Sequence, residues 1–142
     1  LKGVGQYPAR IACNLWSKDG TARYDRKFDK KLHPYFTQNK KDDDHNAVQY
    51  IANMRDGATA GFKYFNFKGN SGISVTVRGQ ADGEMLVSTD EAFEHVVASI
   101  PLRFAVGQIT QQNASTVPDG VHALYFQFRG TGAVDFIAFE LQ

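Results

Sequence analysis

The chain has one cysteine, four prolines and one tryptophan among its 142 residues, and no apolar run near the length of a membrane span. Each scarcity excludes something. A lone Cys13 cannot close an intramolecular disulfide, so the fold rests on packing and hydrogen bonds. Within Ala9-Arg-Ile-Ala-Cys13 it reads as a small buried core residue. A membrane helix needs about 20 apolar residues, which the chain does not offer. No basic segment followed by an apolar one opens it as a secretion signal would. Charge of one sign is missing too. With 16 basic and 15 acidic residues, the net charge of +1 supplies no bulk field for nucleic acid or an anionic membrane. Neither is expected as a partner, and a neutral ligand suits the balance. The first residue is Leu, so the chain reads as a module excised or processed from a larger protein.

What is present points to strands. Aromatic residues make up 13%, and 13 glycines punctuate the chain, a mixture that favours short strands and tight turns over a helical bundle. The length suits one domain with one core, spanning residues 1–142. The first strand is expected over Tyr7–Asn14, with Pro8 at its edge and a turn at Ser17-Lys-Asp-Gly20. Strands follow at Gln49–Met54 and Ala60–Phe67, separated by Arg55-Asp-Gly57. Ile73-Ser-Val-Thr-Val-Arg78 alternates strictly, as a half-buried strand does, and Gln80-Ala-Asp-Gly83 reads as a turn before Met85. Ser88-Thr-Asp-Glu91 resembles a helix capping box, but the β-branched Val96, Val97 and Ile100 favour a hairpin of Met85–Thr89 with Val96–Leu102. Phe104–Gln112 is a further strand candidate. The spacing predicts an all-β antiparallel sandwich.

The end of the chain carries the strongest pattern. Gly120–Gly130 and Gly132–Leu141 flank Arg129-Gly-Thr-Gly132, so the segment reads as a closing β-hairpin. Leu124, Phe126 and Phe128 form its apolar face, which His122 shares as a partly buried residue, while Tyr125 and Gln127 point outward. Residues 18–46 form the least regular stretch, where Tyr24, Phe28, Tyr35 and Phe36 argue for packing against the domain.

In their order and spacing, Gln49–Gly57, Gly61–Phe67 and the closing segment resemble carbohydrate-binding modules of family 6. They resemble most the variant that follows the catalytic domain of glycoside hydrolase family 43, which includes xylosidases and arabinofuranosidases. The resemblance covers about Tyr7 to Leu141 and implies a jelly-roll, galactose-binding-like β-sandwich. It also implies a non-catalytic module that holds a polysaccharide or oligosaccharide, xylan or arabinoxylan in type, for a catalytic domain in the same chain. No cofactor is required. A structural calcium in such modules would here find Asp135 and Asn14 as side-chain ligands, with Ala12 at a position usually acidic. Backbone carbonyls and water would have to complete the six to eight oxygens.

A sugar ring offers an apolar face to an aromatic platform and hydroxyls to fixed polar groups. Residue type and loop position make Tyr50, Tyr35, Trp16 and Asp43 the candidate contacts. Each keeps an ordinary alternative. Tyr50 suits a core edge, Tyr35 a cluster pinning its loop, Trp16 burial at the sandwich end, and Asp43 a solvated charge run balanced by Lys40 and Lys41. Two expected groups are replaced: Phe104 is the only ring where a Trp is usual, and Ala133 stands for an Asn. Those replacements motivate a second reading, an interdomain module without sugar binding that packs on its catalytic domain through an exposed apolar patch. No segment looks like a glycosidase active site, a nucleophile elbow or a zinc motif.

Overall fold

A computed structural model describes residues 1–17, 20–21, 33–38 and 49–142. Ten strands occur among them: β1 (Gly5–Pro8), β2 (Asn14–Ser17), β3 (Gly20–Thr21), β4 (Tyr35–Gln38), β5 (Gln49–Met54), β6 (Thr59–Phe67), β7 (Gly72–Ser88), β8 (Val96–Phe104), β9 (Gln108–Ala114) and β10 (Gly120–Leu141). All strand pairs are antiparallel.

The two longest strands organise the fold. β7 and β10 run against each other from Tyr125 opposite Ser88 to Leu141 opposite Ile73. One half of this ribbon pairs with β6 and β8, and β2 and β3 continue beyond β6. The other half pairs with β9 on the β7 side and with β5 and β1 on the β10 side; β4 continues beyond β5. The ribbon therefore belongs to both layers of a β-sandwich, as the sequence predicts. The core lies between the layers. Phe62 of β6 meets Phe126, and it also meets Phe139 at 4.8 Å between ring centroids. Phe126 in turn lies 5.2 Å from Phe136. All four rings are fully buried.

Several local expectations are corrected. The glycine-rich segments 80–83 and 129–132 are not hairpin turns. They face each other within the β7–β10 ribbon, Gly130 opposite Gly83, where the ribbon passes from one layer to the other. Turn-forming residues here serve a corner, because side chains would obstruct the close approach of the two backbones. The expected strand Tyr7–Asn14 is broken by a 3₁₀ turn at Ala9–Ile11. Phe104–Gln112 likewise divides between β8 and β9. Cys13 is exposed, since it falls in the bend after that turn and outside the alternation of a strand.

The 89–95 connection is the predicted hairpin loop, and Asp90 organises it. Its carboxylate accepts the backbone N–H groups of Glu94 (3.1 Å) and His95 (2.8 Å) and the Ser88 hydroxyl (2.8 Å). Local desolvation raises the Asp90 pKa, but the Ser88 hydroxyl, those two amides and the His95 charge overcome it and hold the group at about 2. A carboxylate held below its unfolded value of 3.8 stabilises the fold fully above that pH, and the contribution is lost as pH falls toward 2. Asp90→Asn is therefore expected to flatten the dependence of melting temperature on pH between 4 and 2. Thermal melts that fall equally steeply for both proteins would contradict this.

Candidate functional site

The site begins with a bulge in β5. Val134 pairs with Met54 and Phe136 with Ile51, so β5 takes three residue steps where β10 takes two. Asn53 absorbs the extra step in the left-handed region, φ 59°, which Asn tolerates better than most residues. Its N–H donates to Asp135 Oδ1 at 3.1 Å. Its side-chain oxygen accepts from Arg55 Nε at 3.1 Å, and its Nδ2 donates to the His33 carbonyl at 3.4 Å.

Alternation then sets which side chains join Asp135. Val134 and Phe136 are buried, so Asp135 faces outward, and Val77 in the core places Arg78 outward beside it. Arg78 Nη2 donates to Asp135 Oδ2 at 3.2 Å. The Arg78 guanidinium also lies 4.6 Å from the centroid of the Tyr50 ring. Ile51 is buried, so Tyr50 and Ala52 point to the outer face. Thr37 opposite Tyr50 and Tyr35 opposite Ala52 share that face. Tyr35 and Tyr50 are thus diagonal neighbours across β4 and β5, within reach for aromatic side chains.

The connection from β8 to β9 borders this group. Gly79 donates its N–H to the Gly107 carbonyl at 2.9 Å, and Ala133 lies directly against Gly79. Val106, at the tip, is 83% exposed. Phe104 packs against the core and offers the site no ring. The site can therefore present one or two tyrosine platforms together with fixed carboxylate, amide and guanidinium groups. Asp135 offsets the Arg78 charge, and the hydroxyl, amide and carboxylate groups around the tyrosines suit a hydroxylated ligand.

Of the six residues singled out from sequence, the structure brings Tyr35, Tyr50 and Asp135 to this face. Trp16 lies elsewhere, on the outer face of the opposite layer, with its ring 6.1 Å from that of Tyr125. Asn14 shares Trp16's face, paired with Gly61, and its buried Oδ1 has no hydrogen-bond partner among the described residues. Asn14 and Asp135 thus occupy opposite outer faces, and a calcium ion cannot be ligated by both. The mismatch arises because β1, which ends at Pro8, is the N-terminal strand that pairs with the end of β10. Among the described residues no group of three or more His, Cys, Asp or Glu side chains converges. Asp43 lies outside the described residues. Tyr125 is on the outer face, as predicted, yet only 4% exposed; that burial pushes its phenol pKa up.

Arg78 and Asn53 are the participants that sequence reasoning missed. The alternation of Ile73–Arg78 places Arg78 outward, which was a usable signal. Its meeting with Tyr50 depends on β10 lying between β7 and β5, and no local pattern reports that.

No family model matches the chain. It is 42% identical over 144 residues to a "Xylosidase/arabinosidase" of Thermoclostridium stercorarium, an alignment covering 99% of this chain. The chain spans 30% of that relative's length. Among solved structures, it resembles a β-1,3-glucan-binding family 6 carbohydrate-binding module from Bacillus halodurans. The TM-score is 0.77 at 14% identity, covering 100% of this chain and 98% of the other. It resembles equally a family 43 arabinoxylan arabinofuranohydrolase from Bacillus subtilis, solved with cellotetraose. There the TM-score is 0.77 at 15% identity, covering 100% of this chain and 28% of that one.

Proposed function

From the premise that this chain is a family 6-like β-sandwich of the kind joined to family 43 glycoside hydrolases, we propose that it is a non-catalytic, carbohydrate-binding module. Its ligand is a neutral plant cell-wall glycan of the xylan or arabinoxylan type, and its service is to a catalytic domain in the same polypeptide. By tethering glycan beside that domain, it raises the effective substrate concentration. The observation that carries this reading is the outward tyrosine pair, with Tyr50 backed by Arg78 and bordered by Asp135. Tyrosines supply flat apolar area at low entropic cost, and the polar groups around them match sugar hydroxyls.

Titration calorimetry of the chain with xylohexaose, arabinan oligosaccharides and a β-1,3-glucan tests the proposal. Binding to the xylo-oligosaccharide is expected. Tyr50→Ala, which removes the platform, should weaken it about tenfold, the equivalent of roughly 1.4 kcal/mol. If none of the three glycans binds, the proposal fails.

One observation favours the second reading, an interdomain module without sugar binding. Leu1, Tyr64 and Val121 are 60%, 57% and 64% exposed and lie close together. The Leu1 carbonyl accepts the Asn66 N–H at 2.9 Å, and Val121 is paired with Asn66 from the other side. Such a patch fits an apolar face of a neighbouring domain. The tyrosine site and this patch occupy different layers, so the calorimetric result decides between the readings without altering the patch.

A further inference from the structure

We propose that Arg78 is a positioning residue for the sugar platform, holding the Tyr50 ring in place; this role rests on the sugar-binding reading above. Arg78 occupies the last outward position of β7 before Gly79, and it is directly opposite Asp135 on β10. Its guanidinium is held by Asp135 Oδ2 at 3.2 Å, while Oδ1 of the same carboxylate is held by the Asn53 N–H. The bulge that presents this N–H lies only three residues along β5 from Tyr50. The contacts Asn53–Asp135, Asp135–Arg78 and Arg78–Tyr50 therefore link three strands.

The consequence concerns the ring. A guanidinium stacked at 4.6 Å covers one face of Tyr50 and favours that face by attraction to its π-electrons. In this proposal a ligand stacks on the opposite face, so stacking is one-sided. A free tyrosine must surrender rotamer freedom when a sugar lands on it, whereas a ring already held on Arg78 has surrendered it on folding. Arg78 thus acts on affinity through Tyr50 and touches no sugar. It has been drawn into this role by strand order, since β10 supplies the carboxylate that fixes the guanidinium between β7 and β5.

A double-mutant cycle tests the assignment, with xylohexaose as the calorimetric probe. Arg78→Met keeps the apolar stem and removes the charge. It should weaken binding roughly three- to tenfold through lost preorganisation. The Tyr50→Ala, Arg78→Met double variant should bind no more weakly than Tyr50→Ala alone, because both act through one ring. Arg78→Lys should recover part of the loss. A ligand-free measurement accompanies these: the Tyr50 aromatic NMR resonances should shift in Arg78→Met while those of Tyr7, on another strand, stay in place. Full additivity in the double variant would overturn the proposal, since Arg78 would then contact sugar itself. Unchanged affinity in Arg78→Met, or unmoved Tyr50 resonances, would overturn it too. A parent chain that binds no glycan would instead fail the sugar-binding reading, and the Tyr50 resonances would still report whether Arg78 holds the ring.

Discussion

Phe62→Ala is expected to lower the stability of the domain by about 3–5 kcal/mol, the range for removing a buried phenylalanine. Phe62 has no solvent exposure. Its ring stands edge-on to Phe126 at 5.5 Å and to Phe139 at 4.8 Å, with Phe136 at 6.2 Å. These partners belong to both halves of β10, so Phe62 links the two layers and not merely two neighbouring strands. Its removal takes away apolar burial and several aromatic contacts and leaves a cavity that a sheet-bound backbone fills poorly. Against a total of about 5–15 kcal/mol for a domain of this kind, the loss is large. Thermal unfolding should show the midpoint falling by about 10–15 °C for a chain of this size. Phe62→Leu, which retains most of the volume, should lose much less. A Phe62→Ala protein melting within a few degrees of the parent would show that the interlayer aromatic cluster is not what joins the sandwich.

Gly130→Ala should be nearly as damaging for a different reason. Gly130 has φ +142°, in a region that side chains avoid. A Cβ there would sit 2.5 Å from the Asp82 carbonyl oxygen and 2.6 Å from the Gly83 Cα. Both obstructions are backbone atoms of β7, so relief requires the β7–β10 ribbon to part at its corner. Strain and steric conflict together should cost about 3 kcal/mol. Gly69→Ala is the control. Gly69 also has positive φ, +65°, but nothing lies within 4 Å of its notional Cβ. It should lose only about 1 kcal/mol, the backbone penalty alone. Urea unfolding of the two variants separates the explanations: equal losses would remove the corner argument.

The fold was largely legible because its signals are local and repeated. Leu124, Phe126 and Phe128 alternate with outward positions, and all three are buried. Ile73, Val75 and Val77 behave in the same way. The glycine segments 80–83 and 129–132 were legible as interruptions but not as corners. A turn and a strand corner both require residues without side-chain obstruction, so composition cannot tell them apart. Only the pairing of Gly83 with Gly130 does so. The candidate site was legible in part. Tyr50 and Tyr35 stand out by residue type, whereas the company they keep depends on strand order.

By itself, the sequence determined the class of this protein: an all-β sandwich without disulfides, with an apolar aromatic core and little net charge. Those properties follow from alternation and composition, which act over a few residues and survive any choice of topology. The tertiary structure alone decided which outward residues meet. It set Trp16 and Asn14 on one outer face and Tyr35, Tyr50, Arg78 and Asp135 on the other. The reason is geometric. Facing direction is set by period-two alternation within a strand, but neighbours are set by register between strands far apart in the chain, as β10 shows by lying between Arg78 and Tyr50.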